Sequence, residues 1–110
     1  MSQKTVDILR ECIPTFTVLS DENRLMILHI LFEYGSLNVN DLTERLHLSR
    51  PAVSHHLKIM LDAGLVRVDQ QGKERYYTVS LQQAGERFQR LMASFVADGC
   101  IKPLDNSPIF

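Results

Sequence analysis

Two closely spaced helix-start signals, Asn38 and Ser49, constrain this chain more than any other feature. After Asn38, the residues Val39, Leu42 and Leu46 keep helical spacing, Asp41 sets a carboxylate near the positive end, and His47-Leu48 is the expected stop. After Ser49, Pro51 falls in the first turn, where its missing N–H costs nothing. Val53, Leu57, Met60 and Leu61 then face inward, and Ala63-Gly64 closes the segment. Two short helices joined by a tight turn form a helix-turn-helix.

The flanking segments supply what such a unit needs to pack. Upstream, Val6, Leu9, Ile13 and Phe16 mark a first helix over Lys4–Leu19, which Pro14 is expected to kink or divide. Asp21 then caps a second helix that runs through Arg24–Phe32 toward a stop at Gly35; it is apolar around much of its girth and is expected to be central. Downstream, Leu65–Asp69 and Glu74–Val79 are rich in Val and Tyr and flank Gln70-Gln71-Gly72-Lys73, the composition of a β-hairpin. Ser80 with Gln83 has the pattern of a capping box, and Leu81, Ala84, Phe88, Leu91 and Phe95 step by three and four along a last helix. That stripe needs a partner surface. Past Gly99, CIKPLDNSPIF reads as an irregular tail, so the organisation is one domain over 1–99 and a tail over 100–110. The fold class is mainly α with a small β-hairpin, a winged helix-turn-helix.

Charge is placed unevenly. Net charge is -1, yet residues 1–44 carry three basic and seven acidic side chains, whereas 45–78 carry six and three. Nucleic-acid affinity depends on the charges that touch the phosphates rather than on the total. On the fourth helix, turning about 100° per residue from Val53 puts Pro51, Ser54, His55, Lys58 and Asp62 on the outer face. Arg50 stands at its N-terminal end, where a planar guanidinium matches guanine O6 and N7. Ser54 and His55 can bond bases or phosphates, Lys58 reads as a phosphate contact, and the hairpin adds Lys73 and Arg75. The competing reading of each residue alone is a solvated polar face. The order of the parts favours DNA binding.

The segments LSDENRLMILHIL, NDLTERLHLSRPAVSHHLKIMLDAGLV and GKERYYTV together resemble the ArsR/SmtB family of winged-helix transcriptional repressors, over about residues 18–80. The resemblance implies a homodimer whose first and last helices pair across a twofold axis, covering the stripe from Leu81 to Phe95. It also implies recognition helices in successive major grooves of a palindromic operator, about 34–36 Å apart. By position, Arg50, Ser54 and His55 match the family's base-contacting sites, and Lys73 and Arg75 fall on its wing.

Departures from the family pattern bear on the effector. Where metal-sensing relatives carry a cysteine pair in a motif like ELCVCDL, this chain has Ser36–Leu42 with Asn38 and Asn40, and carboxamides are poor ligands for soft ions. The last helix holds Glu86 and Asp98 but no histidine, so no metal and no cofactor is expected. His55 and His56 are neighbours that cannot easily share an ion. His29, near a cysteine position of persulfide-sensing relatives, reads as a partly buried, hydrogen-bonded histidine, and His47 as a helix-end residue. Cys12 and Cys100 lack CxxC spacing but lie on segments expected to meet at the dimer interface. A redox switch between them, requiring a depressed thiol pKa, is weighed against two inert thiols. With no membrane span or secretory signal, the expectation is a soluble cytoplasmic protein whose partners are operator DNA and a second copy. No Gly-rich phosphate loop or nucleophile elbow supports an enzyme. A winged helix used only for protein contacts is the alternative to a DNA-binding regulator.

Overall fold

The computed structural model describes residues 1–103 and contains five helices and one two-stranded sheet: α1 (Gln3–Leu19), α2 (Glu22–Tyr34), α3 (Val39–Glu44), α4 (Arg50–Asp62), β1 (Val66–Gln71), β2 (Glu74–Val79) and α5 (Gln82–Ala97). Residues 104–110 of the expected tail lie outside the described residues. The fold class is the expected winged helix-turn-helix.

The caps read from the sequence hold the central helices. The Asp21 carboxylate accepts from the backbone N–H groups of Asn23 and Arg24, the Asn38 carboxamide oxygen from Asp41, and the Ser49 hydroxyl from Ala52. At the far end of α4 the Gly64 N–H donates to the Leu61 carbonyl and the Leu65 N–H to the Met60 carbonyl, with Gly64 at φ +75°. This closure turns the chain back and drives Leu65 fully into the core beside Ile27, Leu31, Leu42, Val53, Leu57 and Met60. Each such buried aliphatic side chain stabilises the fold by about 1.5–3 kcal/mol relative to exposure.

Several expectations need correction. α1 is not divided at Pro14: the ring is exposed, so the Arg10 carbonyl that loses its helical partner sits on the watered side, while Cys12 and Thr15 hold the opposite face. α3 ends at Glu44, three residues early, because Arg45 and Leu46 donate to Leu42 and Thr43 in tight turns. The hairpin loop is Gly72-Lys73, not four residues; Gln71 pairs with Glu74, and Gly72 at φ +63° takes the left-handed conformation that a two-residue loop requires. Ser80 does not cap α5, since its N–H donates to the Leu65 carbonyl at the end of the sheet. The helix begins after Leu81, which is exposed. α2 is central along one edge only: Ile27, Ile30 and Leu31 are buried, but Leu25, Met26, Phe32 and Tyr34 are exposed.

The stripe on α5 finds its first partner within the chain. Leu91 packs with Ile8 and Cys12 of α1, and Phe16 stacks on Phe88 at 5.5 Å between ring centroids. Polar contacts pin the two helices at one end. The Asp98 carboxylate accepts from the Ser2 N–H at 2.8 Å, the Ser2 hydroxyl at 3.0 Å and the Thr5 hydroxyl at 2.6 Å, and Thr5 also bonds the Ser94 hydroxyl. Farther along, Arg90 reaches Glu11 at 2.6 Å.

The Thr5 hydroxyl, and after it the Ser2 N–H, hold the Asp98 carboxyl below its ordinary value of 3.8. A depressed carboxyl contributes stability above that ordinary value and loses it as pH falls through the depressed one. Asp98→Asn should therefore lower the melting temperature at neutral pH, with the gap to the parent chain narrowing as pH falls below the ordinary carboxylate range. Thermal melts across that range check this; a gap that persists undiminished would show that the charge is not what closes the clasp.

Candidate nucleic-acid interface

α4 presents its outer face because its inner face is spent on the core. Val53, Leu57 and Met60 are buried, and Arg50, Pro51, Ser54, His55, Lys58 and Asp62 are all exposed, the division the helical period requires. The wing is then brought alongside by the sheet and by one contact that periodicity does not reveal. Leu37, just ahead of α3, forms an antiparallel bridge with Tyr77 of β2: the Tyr77 N–H donates to the Leu37 carbonyl at 2.8 Å, and the Leu37 N–H to the Tyr77 carbonyl at 3.2 Å. Leu37 and Tyr77 are both buried. The hairpin is thereby fastened to the start of the helix-turn-helix, not only to its end.

This docking gathers five of the six expected DNA-binding residues. Arg50, Ser54 and Lys58 of α4 and Lys73 and Arg75 of the hairpin line one open hollow of about 550 Å³. Its floor includes Val39 and the buried Tyr77, and the Arg75 guanidinium lies 5.9 Å from the Tyr77 ring centroid. His55 is exposed on the same helix but does not line this hollow; its ring is 6.2 Å from that of His56. Sequence reasoning passed over Asp62 and Glu74 as part of the site, yet both carboxylates border the same hollow. Among the described residues, the geometric salt bridges are Arg10–Asp7 and Arg90–Glu11, so the cations of the hollow are not tied to these acids. Four cations in one concave surface, with a hydroxyl between them, can hold phosphate oxygens and a base edge together.

The remaining candidates are placed differently. Asn38 uses its side-chain oxygen as the cap of α3, at 2.8 Å from the Asp41 nitrogen, so at this position the carboxamide is engaged in holding the helix. Among the described residues no group of three His, Cys, Asp or Glu side chains is placed to hold a metal ion. His29 is exposed, contrary to the expected burial: it falls on the solvent side of α2, beside Met26, Glu33 and Arg45. Cys12 is fully buried between α1 and α5, and burial pushes its thiol up, whereas a switch requires a depressed thiol. Cys100 is exposed just past α5, where its N–H closes the helix on the Phe95 carbonyl. Because Ser2 and Thr5 meet the Ser94 and Asp98 end of α5, Cys100 lies beyond the start of α1, more than two helical turns from Cys12, and the two thiols do not meet within one chain.

Comparison with known proteins points one way. The family described as bacterial regulatory protein, arsR family, matches residues 21–68. The arsenical resistance operon repressor of Bacillus subtilis (strain 168) is 35% identical over 80 residues, which is 73% of this chain and 76% of the relative. Among solved structures, a possible transcriptional regulator for arsenical resistance superposes with a TM-score of 0.61 at 31% identity, covering 73% of this chain and 81% of the other. Reduced HlyU from Vibrio cholerae N16961 gives 0.68 at 26% identity over 91% of this chain and all of the other. Among the described residues no helix is long and apolar enough to cross a membrane.

The position of Arg50 depends on the Ser49 cap. Ser49→Ala should cost about 0.5–2 kcal/mol of stability, read as a shift of the urea midpoint, and should raise amide exchange at Ala52. An unchanged midpoint would mean that the first turn of α4 is held by its packing alone.

Proposed function

The chain belongs to the arsR family of bacterial regulatory proteins and is a DNA-binding transcriptional regulator, not an enzyme; from that premise, we propose that it is a dimeric repressor that reads a palindromic operator with α4. The observation that carries this reading is the convergence of Arg50, Ser54, Lys58, Lys73 and Arg75 around one hollow, since two separate elements contribute cations to the same surface. In this reading Arg50, Ser54 and His55 reach base edges, while Lys58, Lys73 and Arg75 anchor phosphates. Three phosphate contacts per protomer, about six per dimer, give a slope of about -5 in log affinity against log salt.

The dimer forms through α1 and α5. Ile13 is 53% exposed and Phe16 45% exposed on a helix whose opposite edge is already buried, and Leu9, Met92 and Phe95 beside them are only partly covered. A contiguous apolar strip of this kind on two packed helices supports a second copy as its cover. In this reading α3 supplies no thiolate for a soft ion, since Asn38 serves as its cap. A thiol effector would act first at Cys100, the exposed cysteine.

Two substitutions separate base reading from phosphate anchoring. Arg50→Ala should lose about 1–3 kcal/mol of binding on the operator and little on random duplex, whereas Lys73→Ala, which removes one phosphate contact from each protomer, should weaken both and reduce the salt slope by about 2. Equal losses of Arg50→Ala on both DNAs would remove it from base readout. Ile13→Glu should shift the chain from dimer to monomer in sedimentation and weaken operator binding by about 100-fold. A dimer that survives this change would place the interface elsewhere.

A further inference from the structure

Burial of Val53, Leu57 and Met60 decides which edge of α4 faces the core, but apolar contacts are non-directional and leave the finer aim of the helix to other groups. One polar contact supplies the missing direction. The Arg24 guanidinium, half-buried at the start of α2, donates through Nε to the Val18 carbonyl at 2.8 Å and places Nη1 3.3 Å from Nδ1 of His56 on α4. Val18 belongs to the last turn of α1, whose carbonyls have no helical partners, and α1 carries no basic residue of its own there. Arg24 therefore fills the negative end of α1 from the next helix and reaches across to α4 with the same planar group. Its backbone is fixed as well, since the Arg24 N–H donates to the Asp21 cap. His56 is half-buried, and its neighbour His55 faces out among the candidate reading residues.

We propose that Arg24 is a positioning residue for DNA recognition: by bridging the end of α1 to His56, it sets the rotation of α4 and so the aim of Arg50, Ser54 and His55. A guanidinium can only donate, so Nδ1 of His56 is the acceptor and the imidazole proton sits on Nε2. The bridge also ties the helix proposed to carry the dimer contact to the helix proposed to read DNA, making the angle between them a property of one hydrogen-bonded group. This inference rests on α4 being the reading helix.

The test compares the parent chain with Arg24→Gln, His56→Leu, the double variant and His56→Asn, on the operator recovered by selection and on random duplex, with a thermal melt for each. Arg24→Gln and His56→Leu should each weaken operator binding by about 10-fold with little change on random DNA, and the double variant should lose no more than either alone. His56→Asn, whose amide oxygen falls near the place of Nδ1, should restore most of the affinity. In the parent chain the His56 Nδ1 nitrogen resonance should be that of an unprotonated acceptor and should move in Arg24→Gln. His56→Leu leaves the contact to Val18 untouched, so it separates the bridge from the cap of α1 if Arg24→Gln unfolds the chain. Operator preference that survives intact in His56→Leu, or losses that multiply in the double variant, would overturn the proposal alone. Absence of any operator preference in the parent chain would overturn the reading of α4 and this inference with it.

Discussion

Burial of Val53, Leu57 and Met60 along one edge of α4 is the constraint on which the rest of the molecule depends. These side chains pack against Ile27 and Leu31 of α2, Leu42 of α3 and Leu65 at the turn into the sheet, so one edge closes the core between four elements. Because the helical period is fixed, committing that edge to the interior commits Arg50, Ser54, His55 and Lys58 to water. The candidate functional surface is thus the complement of the core. A change that rotates the buried edge moves every candidate contact at once, whereas a change on the outer face leaves the fold alone.

Two fastenings turn this amphipathic helix into a site with a definite shape. The Leu37–Tyr77 bridge brings the wing over the helix-turn-helix, so that Lys73 and Arg75 share a hollow with Arg50 and Lys58. On the other side, Arg24 reaches His56 and the end of α1. A second layer, α1 against α5, is built from Ile8, Cys12 and Leu91 and from the Asp98 clasp, and it leaves Ile13 and Phe16 in solvent. The head and this outer layer meet at Phe88, which touches both clusters.

What was legible in the sequence was local. Asp21, Asn38, Ser49, Gly35 and Gly64 mark helix ends through bonds to residues a few positions away, and all five stand where those signals put them. The outer face of α4 followed from the period alone. Contacts between distant residues were not legible: nothing in the alternation of β2 announces that Leu37 pairs with Tyr77, and nothing near Arg24 names His56 thirty-two positions on. The Ser80 signal misled because a capping pattern competes with a backbone bond to Leu65 that only the folded sheet offers. Pro14 misled for a related reason, since the penalty of a lost bond is small where the freed carbonyl meets water. His29 was misplaced because an apolar composition around α2 does not say which edge is buried; the exposed Phe32 and Tyr34 show that it is the edge of Ile27 and Leu31.

The proposed repressor presents the same hollow twice to one duplex. Selection of bound sequences from random duplex DNA, followed by a salt titration on the enriched sequence, tests this most directly. The expected result is an inverted repeat with half-site centres about 10–11 base pairs apart and an affinity that falls steeply with salt. Enrichment of no sequence, or of a lone unrepeated half-site bound by a single chain, would contradict it.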